Sequence, residues 1–283
     1  MELPFRPDFS GKTAVVTGGS GVLGSGFCRA LAACGARVAI VNRSPEKGRV
    51  LADSIRADGG EAEAFSADVT DAQSVAQACE AVRAVYGPCE FLVNGAGGNH
   101  PSATADEERF SRETPADPPK KGFFDLDPAG FSYVYGLNMT GAFLTTKFFA
   151  RDMAERGRGA IVNIASVSGV LPLTKAPAYS SAKAAVANFT QWLAVYLGGS
   201  GVRVNAIAPG FFPAEQNRAL LWNPDGSPTA RTGKILAGTP LGRLGRPEEL
   251  VGALLWLLDD RCSGFVTGAI IPVDGGFTAF SGV

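Results

Sequence analysis

The 283-residue sequence is 46% apolar and 19% charged, with a formal net charge of −1, the balance of a globular protein with a sizeable core. That charge argues against a nucleic-acid-binding surface, and no stretch reaches the roughly 18 uninterrupted apolar residues a membrane helix needs. The opening Met1-Glu2-Leu3-Pro4 has no apolar signal core, so a cytoplasmic protein is expected.

The five cysteines, Cys28, Cys34, Cys79, Cys89 and Cys262, are odd in number and lack C-x-x-C spacing, which suggests free thiols rather than disulfides or a zinc site. With one histidine, His100, neither a His-based metal site nor a Ser-His-Asp triad is expected.

Lys12–Thr17 is a short apolar strand that runs into Gly18-Gly19-Ser20-Gly21-Val22-Leu23-Gly24 and then a helical pattern to about Ala33. Glycines in such a turn let the backbone approach a pyrophosphate at the helix N-terminus; a tight turn without a ligand is the plain alternative. The next strand, Arg37–Val41, ends at Asn42-Arg43, where the adenosine ribose of a dinucleotide is expected. A carboxylate there favours NAD, whereas a cation without a carboxylate suits a 2′-phosphate. Asn42 and Arg43 therefore lean toward NADP(H) over NAD(H), unless Arg43 is simply a solvated loop residue.

A helix over Pro45–Ala57, a strand over Ala62–Ala67, Asp68-Val69 and a helix over Asp71–Val85 continue the alternation, and the strand Cys89–Asn94 leads to a second glycine turn, Gly95-Ala96-Gly97-Gly98. Regular βα alternation predicts a parallel sheet with right-handed crossovers, in one doubly wound domain over residues 1–283. Residues 98–125 form a long loop, either a lid or a surface insertion. Phe131 to Arg156 reads as a long helix in which Asn138 either supports a site or faces solvent.

The stretch Ile161-Val162-Asn163-Ile164-Ala165-Ser166 reads as a strand with a hydroxyl at its end, and Tyr179-Ser180-Ser181-Ala182-Lys183 follows on a helix. Tyr179 and Lys183 share one helix face. An ammonium beside a phenol pulls its pKa down from about 10, so Tyr179 can exchange a proton with a substrate oxygen. On spacing alone an exposed helical pair is the default reading; Ser166 close by makes them a candidate site. A strand at Val202–Ile207, the loop Pro209-Gly210-Phe211-Phe212-Pro213, a pocket-covering segment over residues 211–240, a helix over Pro247–Leu258 and a strand over Ala269–Val273 complete the chain.

With Thr17-Gly18 through Gly24, Asn94-Gly95-Ala96-Gly97, Asn138, Ser166, Tyr179-x-x-x-Lys183 and Pro209-Gly210 in this order, the sequence resembles the short-chain dehydrogenase/reductases over about residues 10–276. The resemblance implies a Rossmann-type α/β fold with a seven-stranded parallel sheet and helices on both faces. It implies that Ser166 donates a hydrogen bond to the substrate carbonyl and that Tyr179 is the acid/base. Lys183 would bind the nicotinamide ribose and lower the Tyr179 pKa, and Asn138 would anchor a water in the proton relay. Cofactor contacts are then expected from Gly18, Ser20, Gly21, Val22, Leu23, Gly24, Asn42, Arg43, Asp68, Val69, Asn94, Gly95, Ala96, Gly97, Tyr179, Lys183, Pro209, Gly210 and Phe212. Two positions depart from the family pattern: Val22 stands where a middle glycine is common, and Pro213-Ala214 where a Thr often meets the nicotinamide carboxamide.

Thr17–Gly24, Phe211–Arg218 and the ending Val273–Val283 are similar to the D-mannonate oxidoreductase (fructuronate reductase) subgroup. This similarity implies a sugar-acid substrate of the D-fructuronate/D-mannonate type; a gluconate-like acid or a 3-oxoacyl thioester keeps the same mechanism. A cofactor-sensing protein without turnover is a further reading, against which the complete set Asn138, Ser166, Tyr179 and Lys183 stands. Beside Ser166 and Tyr179, substrate contacts are expected from Asn99, Gln216, Asn217 and Arg218, with Arg218 either the carboxylate clamp or an exposed helix-start residue. Lys120, Lys121 and His100 are the alternative clamps. The resemblance also implies a homotetramer, in keeping with the apolar run Ala184-Ala185-Val186-Ala187, Phe189 and Trp192 on the catalytic helix.

Overall fold

The computed structural model describes residues 7–111, 120–213 and 218–282. Seven short strands, β1 (Thr13–Thr17), β2 (Arg37–Asn42), β3 (Glu61–Ser66), β4 (Phe91–Asn94), β5 (Gly159–Ile164), β6 (Val202–Pro209) and β7 (Ile270–Val273), build one sheet in the order β3-β2-β1-β4-β5-β6-β7. Every pairing is parallel. This is the single Rossmann-type domain expected from the βα alternation. The strand order reverses between β1 and β4, and the crevice beyond their carboxyl ends is where open α/β sheets take ligands.

The helices are α1 (Val22–Ala33), α2 (Pro45–Ala57), α3 (Ala72–Tyr86), α4 (Pro128–Tyr135), α5 (Gly141–Arg156), α6 (Pro177–Gly198), α7 (Arg218–Leu221), α8 (Ala230–Ala237), α9 (Val251–Leu258) and α10 (Asp260–Ser263). Because successive side chains of a strand point to opposite faces, β1 feeds two cores. Ala14 and Val16 pack with Phe27, Leu31, Leu254 and Leu257 on one face, and Val15 packs with Phe149, Met153, Leu193 and Val204 on the other. A strand buried on both faces has no polar alternation, as Thr13–Thr17 shows.

Two departures from the sequence reading bear on the site. The segment expected as one helix over Phe131–Arg156 starts at Pro128, where Asp127 caps it by accepting from the N–H groups of Ala129 and Gly130, and a π turn, Gly136–Thr140, interrupts it. Such one-turn bulges re-aim side chains and recur at functional sites. The strand expected to end at Ser166 ends at Ile164. Ser166 instead caps a 3-10 turn, Val167–Gly169, its Oγ accepting from Ser168 N–H at 3.2 Å, because a serine side chain competes well for free backbone donors.

The C-terminal segment is docked. Asp274 accepts from the N–H groups of Gly276 and Thr278 and from the Thr278 hydroxyl at 2.6–2.8 Å. Phe277 meets Phe211 edge to face at 4.9 Å, bringing the end of the chain against the Pro209-Gly210 loop.

Candidate active site

The first glycine turn is built by close approach. Gly18 has φ +64°, and a β-carbon on it would stand 2.9 Å from Ala96 Cα; one on Gly24 would stand 2.3 Å from the Gly18 carbonyl. Only glycine permits these contacts. Gly21 is the N-cap of α1 and no side chain caps the helix, so the first-turn N–H groups are left for an anion. Val22, at the position where a middle glycine is common, is the first helical residue and lines the crevice with a half-buried side chain. The turn therefore closes around Gly18, Gly21 and Gly24.

A cavity of about 480 Å³ opens at the switch point. It is lined by Gly18, Gly21, Val22, Leu23, Gly24, Asn42 and Gly95–Gly98 of the two glycine turns and the end of β2, by Ser166, Tyr179, Lys183, Pro209, Gly210, Phe211 and Phe212, and by Leu221 and Arg231 of the covering helices. A smaller cavity of about 220 Å³ continues from Asn42 past Arg43, Asp68, Val69, Thr70, Ala96 and Gly97. The two meet at Gly18, Asn42, Ala96 and Gly97, an extended shape that fits a dinucleotide. In the smaller cavity Asp68 accepts from both the N–H and the hydroxyl of Thr70, which hold its carboxyl below the usual carboxylate range. Ser20 lies outside the lining; its N–H donates to Asn42 Oδ1 at 3.1 Å, while Asn42 Nδ2 is buried without a partner.

Asn94 is set behind the crevice rather than in its wall. Its Nδ2 donates to Thr146 Oγ1 and Asn163 Oδ1, and its Oδ1 accepts from Thr145 Oγ1 at 2.6 Å, so it bolts β4 to β5 and α5. Thr17 Oγ1 accepts from Gly95 and Ala96 N–H at 3.2 Å, fixing the second glycine turn against the first.

Asn138, 1% exposed, is turned by the π bulge toward that second turn. Its Nδ2 donates to the carbonyls of Gly98 and Val134, and its Oδ1 accepts from Gly98 N–H. Lys183, 5% exposed, donates through Nζ to the Ile164 carbonyl at 2.7 Å and lies 5.7 Å from the centre of the Tyr179 ring. Burial pushes the lysine down from 10.5 to about 8. The expected lowering of the Tyr179 pKa is not found in the protein alone: burial raises it above its ordinary value, and the hydrogen bond from Ser166 opposes this only in part. The cost of burying a phenolate outweighs the stabilisation available from an ammonium already committed to a carbonyl.

Several polar groups of the long loop after β4 bond within the loop. Asn99 Nδ2 donates to Thr104 Oγ1 at 2.9 Å, His100 Nδ1 meets Ser102 Oγ at 2.8 Å, and Lys121 Nζ donates to the Pro101 carbonyl. None of Asn99, His100, Lys120 and Lys121 lines the main cavity. Gln216 and Asn217 lie outside the described residues, as does the side chain of Arg218, whose backbone opens α7. Sequence reasoning missed Arg231. Its signal was weak: one basic residue in a polar segment, brought to the cavity wall only by the packing of α8.

A family model described as short chain dehydrogenase matches residues 12–221. An uncharacterized oxidoreductase of Bacillus subtilis (strain 168), UxuB, is 50% identical over 99% of this chain and 100% of its own length. Among solved structures, a protein provisionally named a D-mannonate oxidoreductase, from Haemophilus influenza and with bound NAD, superposes with a TM-score of 0.93 at 45% identity, covering 98% of each chain. A gluconate 5-dehydrogenase from Burkholderia cenocepacia, in complex with NADP and tartrate, gives a TM-score of 0.81 at 32% identity, again over 98% of each chain.

Proposed function

Because the chain belongs to the short chain dehydrogenase family, and is thereby an NAD(P)-dependent oxidoreductase, we propose that it interconverts the carbonyl and secondary alcohol of a sugar acid of the D-fructuronate/D-mannonate type. The observation that carries this reading is the charge of the cavity. Lys183 and Arg231 line it, and among the described residues no Asp or Glu does. A carboxylate held away from bulk water needs a cation or several donors, whereas a neutral polyol does not. The names of the Haemophilus and Burkholderia proteins, a mannonate and a gluconate enzyme, support an acid of this class, and a gluconate-type acid is the second reading.

The glycine turn with the uncapped start of α1 would hold the pyrophosphate, Asn42, Arg43, Asp68 and Val69 the adenosine end, and Gly95-Ala96-Gly97, Pro209, Gly210 and Phe212 the nicotinamide end. Bound there, the nicotinamide supplies or accepts the hydride. Ser166 Oγ donates to the substrate carbonyl oxygen and orients it. The Tyr179 hydroxyl gives its proton to that oxygen on reduction and takes it back on oxidation; burial, by raising its pKa, keeps it protonated and able to act as acid. Lys183 offers its ammonium to the ribose and the phenol together, and Asn138 holds the loop that closes this end.

With no carboxylate at the end of β2, NADP(H) is favoured over NAD(H). Phe143, Phe189, Trp192 and Tyr196 form a continuous aromatic face on α5 and α6, with Trp192 57% and Tyr196 70% exposed; a face of this kind marks an association surface and supports a homotetramer, checked by light scattering at micromolar concentration. Five cysteines as free thiols support a cytoplasmic setting. No helix among the described residues is long and apolar enough to cross a membrane. The test of substrate class is a turnover panel of keto-uronates, aldonates, polyols and acyl thioesters with both cofactors. Turnover of thioesters or polyols but of no sugar acid would overturn the reading.

A further inference from the structure

We infer that Arg231 is the cation that grips the substrate carboxylate and sets the enzyme's preference for acids over neutral polyols, an inference that rests on the sugar-acid reading above. The cavity wall carries two cations among the described residues, and they differ in what they are committed to. Lys183 donates to the Ile164 carbonyl, and its remaining donors are assigned to the ribose and the Tyr179 phenol. Arg231, half-buried and lining the same cavity as Ser166 and Tyr179, makes no side-chain hydrogen bond or ion pair with any described residue, whereas Lys234 and Arg243 nearby are paired. Lys234, one turn further along α8, bonds Glu108 at 2.7 and 2.9 Å, and Arg243 bonds Glu249 at 2.7 and 2.8 Å.

The backbone that presents Arg231 is fixed. Thr229 caps α8 by accepting from Thr232 N–H, its own N–H donates to the Leu221 carbonyl at 3.0 Å, and the fully buried Thr232 donates through Oγ1 to the same carbonyl at 2.6 Å. A backbone fixed this way carries the guanidinium to the cavity wall, where it can meet a carboxylate through two parallel N–H donors. Leaving it unpaired in a partly shielded wall is costly unless an anion arrives. With no acidic lining residue among those described, and with the cofactor's pyrophosphate assigned to the glycine turn, the anion left for Arg231 is the substrate's. The site thus takes a polyhydroxylated monocarboxylate, its reacting carbon at Ser166 and Tyr179 and its acid group toward α8.

The experiment measures steady-state kinetics of the full-length enzyme on D-mannonate, D-gluconate and neutral galactitol for wild type, Arg231→Ala, Arg231→Lys and Arg218→Ala. Melting temperature and NADH and NADPH affinities, by fluorescence, report the integrity of each variant. The expected result is a rise in KM for the acid of about 30-fold or more in Arg231→Ala, with cofactor affinity within about twofold, partial recovery in Arg231→Lys because a point charge lacks the fork, and a smaller effect of Arg218→Ala. Wild-type turnover of an acid with KM unchanged within about threefold in Arg231→Ala would overturn the clamp and leave the sugar-acid reading standing; so would a loss confined to Arg218→Ala. Failure of the wild type on every sugar acid would overturn that reading, and the clamp with it.

Discussion

Asn138 and Gly98 exchange two hydrogen bonds, the carboxamide Nδ2 donating to the Gly98 carbonyl at 2.7 Å and the Gly98 N–H donating to Oδ1 at 3.2 Å. This pair joins the π turn of the long helix to the second glycine turn, and it leaves no room beside it. A β-carbon on Gly97 would stand 2.6 Å from Asn138 Oδ1 and 3.1 Å from Lys183 Nζ. Gly97→Ala is therefore expected to displace both groups and lower kcat/KM about 10–100-fold, in line with the cost of small misplacements at a reacting centre. Because both displaced side chains are buried and hydrogen-bonded, the melting temperature should fall as well. Wild-type kinetics in the variant would show that the relay tolerates the shift.

Tyr179→Phe keeps the ring and removes the proton. Turnover should fall about 10²–10⁴-fold, the contribution of a positioned general acid, while cofactor affinity stays within a few-fold. Retention of more than about a hundredth of the activity would remove Tyr179 from the acid/base role.

Lys183 carries a stability cost that depends on pH. Its folded value is lowered by burial to about 8 from 10.5, so between those values the unfolded chain binds a proton that the folded chain has lost. By linkage, the stability contribution of this group rises with pH across that window and is least favourable below pH 8. Lys183→Met is thus expected to make the cofactor-free protein more stable at pH 7 by about 1–3 kcal/mol, to abolish the rise between pH 8 and 10.5, and to inactivate the enzyme. Urea denaturation at several pH values measures it; a variant less stable than wild type at pH 7 would contradict the assignment.

For cofactor choice, Asn42 offers a mild substitution. Its Oδ1 holds Ser20 N–H, and its Nδ2 is buried without a partner, so Asn42→Asp keeps the first bond and replaces the orphaned donor by an acceptor. The variant should shift the NADH to NADPH preference toward NADH by about tenfold, through phosphate repulsion and ribose hydrogen bonds. Arg43→Ala should weaken NADPH more than NADH. Equal effects on both cofactors, measured by titration, would mean that the 2′ position lies elsewhere.

The architecture was legible because most strands are short apolar runs bounded by glycine or polar turns, and the crossovers between them have a helical period. Gly18 through Gly24 and Tyr179 with Lys183 were legible for a related reason: their spacing along the chain is itself the geometry, one a strand-turn-helix and the other a helix face. The end of β5 was misjudged because Ala165 and Ser166 continue its composition, while the capping competition that ends it is decided by Ser168 N–H.

The βα alternation and the glycine turns were readable in the sequence alone, since these are local properties of composition and period, and so were the candidate side chains Ser166, Tyr179 and Lys183. Only the tertiary structure decided the strand order that opens the crevice between β1 and β4, the π turn that aims Asn138, and the placing of Arg231 at the cavity wall. It also decided the sign of the Tyr179 shift, because desolvation depends on everything packed around a phenol, and a neighbouring lysine four residues away carries no record of it.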